Sequence, residues 1–185
     1  MDQQITLKRL SVESLHDFLD YFDHRAFLED PNWRGCYCQF YFGTQAEEHP
    51  LDQKIEQNRA LACSRVETGE MDGYLLYSGE KVIAWCAAAS SLLFPGLPGA
   101  DEKLARILCF NIDPDLRGQG MAGKMLDLVL QELAGSGFEL VEAGPNEQSY
   151  GDKSYRGSLK MFTDRGFEQI TSLGDGFVLV RKYLS

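Results

Sequence analysis

The sequence predicts an α+β fold, in which helices flank one mixed, mostly antiparallel sheet. Residues 73–77 and 81–89 are apolar runs joined by a glycine turn, which indicates an antiparallel hairpin. Residues 104–112 predict a further buried strand, and apolar residues at helical spacing follow it. The chain has 185 residues, the length of one ordinary domain, so residues 1–185 are expected to form a single domain.

The N-terminal part of the chain predicts a strand, a helix and an irregular segment. Residues 5–10 alternate apolar and polar side chains, as a first strand would. Ser11 then caps a helix that is expected to run to about residue 27. The apolar face of this helix has five residues: Val12, Leu15, Phe18, Leu19 and Phe22.

The stretch from about residue 26 to residue 72 follows the predicted fold least closely. Residues 31–43 are aromatic and irregular, and residues 46–68 predict a second helix. The aromatic residues from Trp33 to Phe42, together with Trp85 and the proline loop 91–101, are candidates to line a substrate pocket. Large aromatic residues also serve as core, so both roles stay open at this point.

The C-terminal half predicts two further helices and three further strands. Apolar residues at helical spacing indicate a helix that ends at Gly135, with a stripe formed by Met121, Met125, Leu128, Val129 and Leu133. Residues 138–143 predict the next strand, and residues 158–165 predict a helix that stops at Gly166. Two closing strands are expected near residues 168–171 and 177–183.

The composition excludes several classes of function. The formal net charge is −10 and the pI is near 4.7, which opposes binding to nucleic acid or to anionic membranes. The chain has no apolar run near 18 residues, and residues 1–4 lack the basic-then-apolar order of a signal peptide. We therefore expect a cytoplasmic protein with no membrane partner. An acidic surface favours a cationic amine or a basic peptide, although solubility explains it equally well.

Five cysteines form no recognised disulfide framework, and their odd number indicates reduced thiols inside a cell. Cys36 and Cys38 would share one face of a strand and could form half of a metal site or a redox pair. A zinc site needs two further ligands at suitable spacing, and none is evident. We therefore predict no metal.

A glycine-rich turn at residues 113–124 is the strongest functional signal, because such turns bind phosphate before a helix N-terminus. Gly118, Gly120 and Gly123 match a dinucleotide-binding fingerprint, and Gly118 to Lys124 matches most of a Walker A loop. Arg117-x-x-Gly120-x-Ala122 matches a third pattern, the pyrophosphate turn of acyl-CoA enzymes.

The surroundings of the turn favour the third pattern. Met125 stands where a Walker loop needs a Ser or Thr magnesium ligand. Five residues, with Pro114 among them, separate Ile112 from Gly118, and only 62 residues follow Gly123, too few for the second half of a dinucleotide fold. That alternative is weakened but stays open, since acidic residues follow at roughly the required 20-residue distance.

Residues 107–122 resemble the central motif of the GNAT superfamily of acyl-CoA-dependent N-acetyltransferases: a strand, a proline bend and the run R-G-Q-G-x-A. Residues 159–168 are similar to the family's late helix, which ends in Gly-Phe. The resemblance covers most of the chain outside residues 26–72. It implies a GNAT-like fold with a splayed central sheet, acetyl-CoA as co-substrate, and an amine on a small molecule or peptide as acceptor. The oligomeric state stays open, a homodimer included.

The resemblance also implies site residues. Arg117 and the backbone N–H groups of Gly118, Gln119, Gly120, Met121 and Ala122 would hold the CoA pyrophosphate. The main chain of Phe110, Asn111 and Ile112 would pair with the pantetheine arm like an added strand, and Asn146 would contact the same arm. An unpaired N–H where the strands splay would stabilise the oxyanion of the reaction, and losing such a donor costs about 3 kcal/mol.

The catalytic acid is the weakest part of the resemblance. The family commonly has a tyrosine four residues before the late Gly-Phe, and here that position is Phe162, which cannot donate a proton. Tyr155 is the candidate to replace it, with Tyr150 as the alternative. Glu142 or water would accept the proton of the amine. A non-catalytic acyl-CoA-binding sensor is the competing hypothesis, and a dinucleotide oxidoreductase is a distant third.

Overall fold

The computed structural model describes residues 4–30, 32–43, 54–147 and 155–184. In these residues seven strands form one sheet, in the order β1-β2-β3-β4-β5-β7-β6. The strands are β1 (Ile5–Arg9), β2 (Tyr74–Ser78), β3 (Lys81–Ser90), β4 (Leu104–Ile112), β5 (Leu140–Ala143), β6 (Glu168–Gly174) and β7 (Phe177–Tyr183). The helices are α1 (Leu15–His24), α2 (Gln39–Phe42), α3 (Ile55–Thr68), α4 (Met121–Gly135) and α5 (Leu159–Thr163).

The sheet is open and mostly antiparallel, as the sequence predicts. β4 and β5 are the parallel pair, and the other neighbouring strands run antiparallel. Leu104–Ile107 of β4 pair with Leu140–Ala143 of β5, and β4 then continues to Ile112. Among the described residues, β4 therefore has an edge of five residues without β5 beside it.

The sheet has a buried layer on each face. Phe18 and Phe22 of α1 pack on the face that carries Trp85, with the Phe18 and Trp85 ring centroids 4.9 Å apart. Met125 and Val129 of α4 pack on the other face, and both are fully buried. Apart from Val12, which precedes α1 and is exposed, the apolar stripes that predict α1 and α4 cover the two faces of the sheet, because burial of apolar area drives this packing.

Several predicted boundaries differ from the structure. α1 ends at His24 rather than near residue 27, because Arg25 leaves helical geometry and Phe27 has a positive φ of 58°. β5 begins at Leu140 rather than at residue 138, because Gly137 turns the chain and the Phe138 N–H still closes the end of α4 on Leu133. β6 runs to Gly174 rather than to residue 171, because a two-residue turn follows it and joins it to β7.

The segment expected to be irregular has its own short helix, α2, inside residues 31–43. Only the second part of the helix predicted at residues 46–68 is described, and it forms α3. The late helix predicted at residues 158–165 is α5 alone, five residues long, with Ser158 as its N-cap. Across the described residues, no helix has the length and apolar character needed to span a membrane.

Candidate active site

The glycine turn connects the end of β4 to the start of α4. A 3-10 turn at Pro114–Leu116 follows the strand, with the Asp113 side chain accepting the Asp115 N–H at 3.1 Å. Gly118 and Gly120 then have φ of 71° and 76°, in the left-handed region that favours glycine. A Cβ atom at either glycine would meet no atom within 4 Å, so open space lies beside this backbone. Gly120 is the N-cap of α4, whose free N–H groups attract an anion.

Asp113 anchors the start of the turn. Its side chain is fully buried and pairs with Arg25 just after α1, at 3.0 Å from Nε to Oδ2, and with Lys81 of β3 at 3.1 Å. Burial alone raises the pKa of Asp113, but the two cations outweigh it and hold the pKa below its ordinary value. The turn is therefore fixed from the α1 side of the sheet.

Arg117 lies along the turn with its guanidinium partly occupied. Nε donates to the carbonyl oxygen of Ile112 at 3.1 Å, and Nη1 pairs with Glu29 at 2.9 Å. Nη2 is buried and has no hydrogen-bond partner among the described residues. A buried guanidinium nitrogen without a partner is costly, which favours an anionic ligand at this point.

A cavity of about 430 Å³, here called the turn cavity, runs beside Arg117, Gly118, Gly120 and Met121 toward α5. The α5 side adds Lys160 and Arg165, which also line it. Open space at both glycines, the N-terminus of a 15-residue helix and the unpartnered Nη2 together fit a pyrophosphate group. The residues present therefore match the phosphate part of acetyl-CoA.

The three β4 residues expected to pair with the pantetheine arm face different ways. The Phe110 N–H points away from β3 and donates to the Tyr155 carbonyl oxygen at 2.6 Å. Ile112 faces the same side, by the alternation of a strand, and its carbonyl accepts from Arg117. Asn111 instead pairs with Trp85 of β3, and its buried side chain accepts the Tyr21 hydroxyl at 2.8 Å.

Asn146 and residues 155–158 lie beside the free edge of β4. Asn146 forms bridges with Ser158 and with Phe177, and its carbonyl accepts the Leu159 N–H at 3.3 Å. Its side chain is buried in the wall of a second cavity. Residues 155–158 therefore run next to the part of β4 that the sequence assigns to the pantetheine arm.

The second cavity, here called the aromatic cavity, has a volume of about 420 Å³ and is largely apolar. Trp33, Phe40 and Tyr41 line it, whereas Trp85 is fully buried in the core and does not. Cys109 of β4 lines it too, so the cavity reaches the same strand as the turn cavity. The proline loop expected to line a substrate pocket lies at a neighbouring cavity instead, through Leu97, Pro98 and Gly99.

The Tyr155 ring forms part of the aromatic cavity, with its centroid 4.8 Å from that of Phe27 and 6.4 Å from that of Trp33. Burial, followed by the negative charge of Asp30, raises the pKa of Tyr155 to about 12. The hydroxyl therefore keeps its proton at neutral pH. A thiol has an ordinary pKa near 8.5, so full proton transfer from Tyr155 to a thiolate is uphill.

The other candidates for proton transfer lie elsewhere. Phe162 is fully buried between Phe110 and Phe167, with ring centroids 6.2 and 5.1 Å away. Glu142 is buried, and its two oxygens are bound by Arg106 at 3.3 Å and by Arg181 at 2.5 Å. Its hydrogen-bonding capacity is therefore engaged by two arginines. Tyr150 lies outside the described residues.

All five cysteines are free thiols, and Cys36, Cys38 and Cys109 line the aromatic cavity. Burial raises the pKa of Cys36 to about 12, so this thiol stays protonated and unreactive. Among the described residues, no three His, Cys, Asp or Glu side chains are grouped so that they could hold a metal ion.

Sequence reasoning missed two features of the site. Arg156 lines the aromatic cavity, but it comes from a loop with no periodic pattern that could have indicated it. The anchoring of the turn by Arg25 joins residues 88 positions apart in the chain. Its only sequence signal is the Asp-Pro pair that begins the turn, which predicts a cap but no partner.

The family model described as "Acetyltransferase (GNAT) family" matches residues 22–167 of this chain. No curated protein shows a significant match. The fold is similar to that of the ribosomal-protein-S18-alanine N-acetyltransferase of Escherichia coli, at 14% identity and a TM-score of 0.57, over 98% of this chain and 95% of the other.

Two further similar structures contain a ligand. PaiA N-acetyltransferase of Thermoplasma acidophilum, in complex with coenzyme A, has 12% identity and a TM-score of 0.57, over 97% of this chain and 99% of the other. YncA of Salmonella typhimurium, with its cofactor acetyl-CoA, has 13% identity and a TM-score of 0.57, over 98% of this chain and 94% of the other.

Proposed function

The chain belongs to the acetyltransferase (GNAT) family and is an acyl-CoA-dependent N-acetyltransferase, and we propose that it acetylates the amine of a small acceptor held in the aromatic cavity. One observation carries this proposal. The turn cavity, which suits a pyrophosphate, and the aromatic cavity both reach the stretch of β4 that extends beyond β5. A donor and an acceptor bound in the two cavities would therefore meet at the end of β4.

Acetyl-CoA, when bound, supplies the activated acetyl thioester. The backbone of residues 118–122 and the Nη2 of Arg117 would hold its pyrophosphate, and the main chain of Phe110 and Ile112 would hold the pantetheine arm with Asn146. For this contact the Phe110 N–H would have to give up its hydrogen bond to the Tyr155 carbonyl oxygen and donate to the ligand instead. Asn111 would be a positioning residue, since Tyr21 and β3 hold it behind that edge.

The acceptor nitrogen has to be neutral to react. Its lone pair then forms the bond to the acetyl carbon, the carbon–sulfur bond breaks, and the nitrogen gives one proton to water. The Tyr155 hydroxyl, which is hydrogen-bonded to Asp30 in this structure, would turn to the departing sulfur and donate a hydrogen bond to it, without surrendering its proton because of its raised pKa. The leaving thiolate takes its proton from solvent at modest cost, since its ordinary pKa is near 8.5.

A turnover assay tests the proposal directly. Purified protein is mixed with acetyl-CoA and a panel of amines, and free CoA is followed with a thiol reagent, with an amine-free mixture as the control for the protein's own cysteines. We expect amine-dependent release of CoA and an acetylated product of the expected mass. Tight acetyl-CoA binding with no product from any amine would favour the acyl-CoA sensor instead.

We also propose a cytoplasmic location. The cysteines are free thiols, and four of them are buried. Free thiols persist in reducing compartments, whereas an oxidising compartment favours disulfides. Finding the tagged protein in the soluble cytosolic fraction would support this location.

A further inference from the structure

Arg156 is a half-buried cation placed between two cavities. It lines the aromatic cavity and also a third cavity of about 380 Å³, here called the arginine cavity, which is lined by Arg106, Glu142 and Arg181. Its guanidinium lies 4.2 Å from the centre of the Phe177 ring and 5.8 Å from that of Tyr41. The two rings orient the guanidinium, and one of its N–H groups donates to the Tyr41 hydroxyl, which leaves further N–H groups for a ligand at the cavity wall.

No carboxylate pairs with Arg156 among the described residues, in contrast to the arginines around it. Arg106 and Arg181 both bind Glu142, and Arg117 binds Glu29. A partly buried guanidinium loses part of its hydration, and a charged partner normally compensates for the free energy of that loss. The partner of Arg156 is therefore to be sought in a ligand.

The charges of the cavity walls point to an anionic group. Of the described residues that line the aromatic cavity, Arg156 alone is charged. The arginine cavity adds Arg106 and Arg181 against the single carboxylate of Glu142, whose oxygens those two arginines already bind. The joint wall thus carries two excess positive charges in a chain whose net charge is −10. Such a wall repels a purely cationic amine.

We propose that the acceptor is an amino acid with an apolar side chain, and that Arg156 binds its carboxylate. This inference rests on the proposed function, because it assigns the acceptor for the same transfer. The planar guanidinium suits a bidentate carboxylate. Arg156 follows Tyr155 directly in the chain, so a carboxylate on Arg156 keeps the neighbouring amine close to Tyr155 and the end of β4. The apolar side chain lies against Phe27 and Trp33.

Matched acceptors test the role of the carboxylate. Phenylalanine, leucine and methionine are compared with their amides, which keep the side chain and remove the negative charge. Because the amide also lowers the pKa of the amine, each kcat/KM is expressed per neutral amine. With the wild-type protein we expect kcat/KM to be at least about 10-fold higher for each acid than for its amide, since a charged hydrogen bond is worth that much. Equal rates, or faster reaction of the amides, would overturn the proposal.

The variant Arg156→Met removes the charge and keeps the length of the side chain. We expect kcat/KM for the acids to fall about 10- to 100-fold, chiefly through KM, while the values for the amides and the KM for acetyl-CoA stay within twofold. Arg34→Met removes an exposed positive charge outside both cavities and serves as the matched control. An equal loss for acids and amides in Arg156→Met would show a structural role only.

Binding of the product separates this inference from the proposed function. N-acetylphenylalanine and its amide are titrated calorimetrically into wild-type and Arg156→Met protein. Tighter binding of the acid, lost in the variant, supports the carboxylate site even without turnover. If turnover occurs but neither acid binding nor acid preference is seen, the acceptor assignment is wrong and the transferase proposal stands.

Discussion

Replacing Gly120 by alanine is the sharpest test of the glycine turn, because the chain offers a matched control. Gly120 has φ of 76° and open space where a Cβ would lie, and Gly69 at the end of α3 has the same φ and the same open space. An alanine in this left-handed region costs roughly 1–2 kcal/mol at either position. Both variants should therefore lose similar stability, a fall in Tm of about 2–8 °C for a chain of this size.

The two variants should differ in their affinity for acetyl-CoA. The methyl group of Gly120→Ala occupies the space beside the first N–H groups of α4, where the pyrophosphate is proposed to lie. We expect the KM and Kd for acetyl-CoA to rise at least about 10-fold, equivalent to about 1.4 kcal/mol. Gly69→Ala lies at the far end of α3 and should keep both constants within twofold.

Initial rates against acetyl-CoA concentration, calorimetric titration with CoA and thermal melts of the three proteins complete the comparison. A Gly120→Ala protein that binds CoA as wild type does would refute the assignment of the pyrophosphate to this turn. An equal loss of CoA affinity in Gly69→Ala would show that general strain, rather than the added methyl group, explains the effect.

The remaining predictions concern the proton-transfer candidates and the anchor of the turn. Tyr155→Phe should lower kcat less than about 10-fold. The pH profile of kcat from pH 6 to 9 should keep its shape, because the Tyr155 pKa of about 12 lies above that range. A loss of about 100-fold or more would instead make Tyr155 a general acid. Glu142→Gln should lower stability with kcat reduced less than about fivefold, whereas a general base would cost at least about 100-fold. Asp113→Asn should lower the unfolding free energy in urea by about 2–3 kcal/mol, against less than about 1 kcal/mol for the exposed Asp115→Asn. The fold lowers the pKa of Asp113, so its ion pairs add stability at pH values above its unfolded pKa, which is near 3.9. That added stability disappears as the pH falls through the lower pKa of the folded state. The stability of Asp113→Asn and of Asp115→Asn should therefore approach that of wild type at acidic pH.

Local patterns predicted the elements whose residues pack against one continuous surface. β2, β3 and β4 appear where the apolar runs are, and α4 begins at the first residue of its predicted stripe. In these elements the residues that the strand or helix period places on one face are the residues that pack on the sheet. Their apolar pattern in the sequence therefore predicts both the element and its buried face. β7 was found for the same reason. β6 was also found, with an error at its end, although all of its residues are exposed.

Prediction was weakest from residue 26 to residue 43, where tertiary contacts decide the backbone. Phe27, Tyr37 and Cys38 have φ of 58°, 42° and 58°, which such residues rarely adopt. Their side chains are buried against the α1 face of the sheet, and that burial offsets the local strain. A local sequence pattern cannot predict a backbone conformation that is unfavourable on its own and is stabilised only by tertiary contacts.

The candidate site divides in the same way. The glycine turn that we propose to bind phosphate could be recognised from sequence, because the proposed chemistry depends on glycines and backbone N–H groups that are consecutive in the chain. The surroundings of Tyr155 could not, because they combine Phe27, Asp30 and Trp33 from one segment with β4 from another. Glu142 looked available at a strand end, and only the fold revealed that two arginines bind it.

The sequence by itself thus determined the fold class, the glycine turn at residues 118–122 and the family that this turn indicates. These depend on short-range periodicity and on backbone chemistry, which neighbouring residues specify. Only the tertiary structure decided where the two cavities meet β4, which partners hold Asp113, and that Arg156 has no carboxylate partner among the described residues. Those features depend on contacts between segments that are far apart in the chain. Such contacts form only when the strands assemble into the sheet and the helices and loops pack on it.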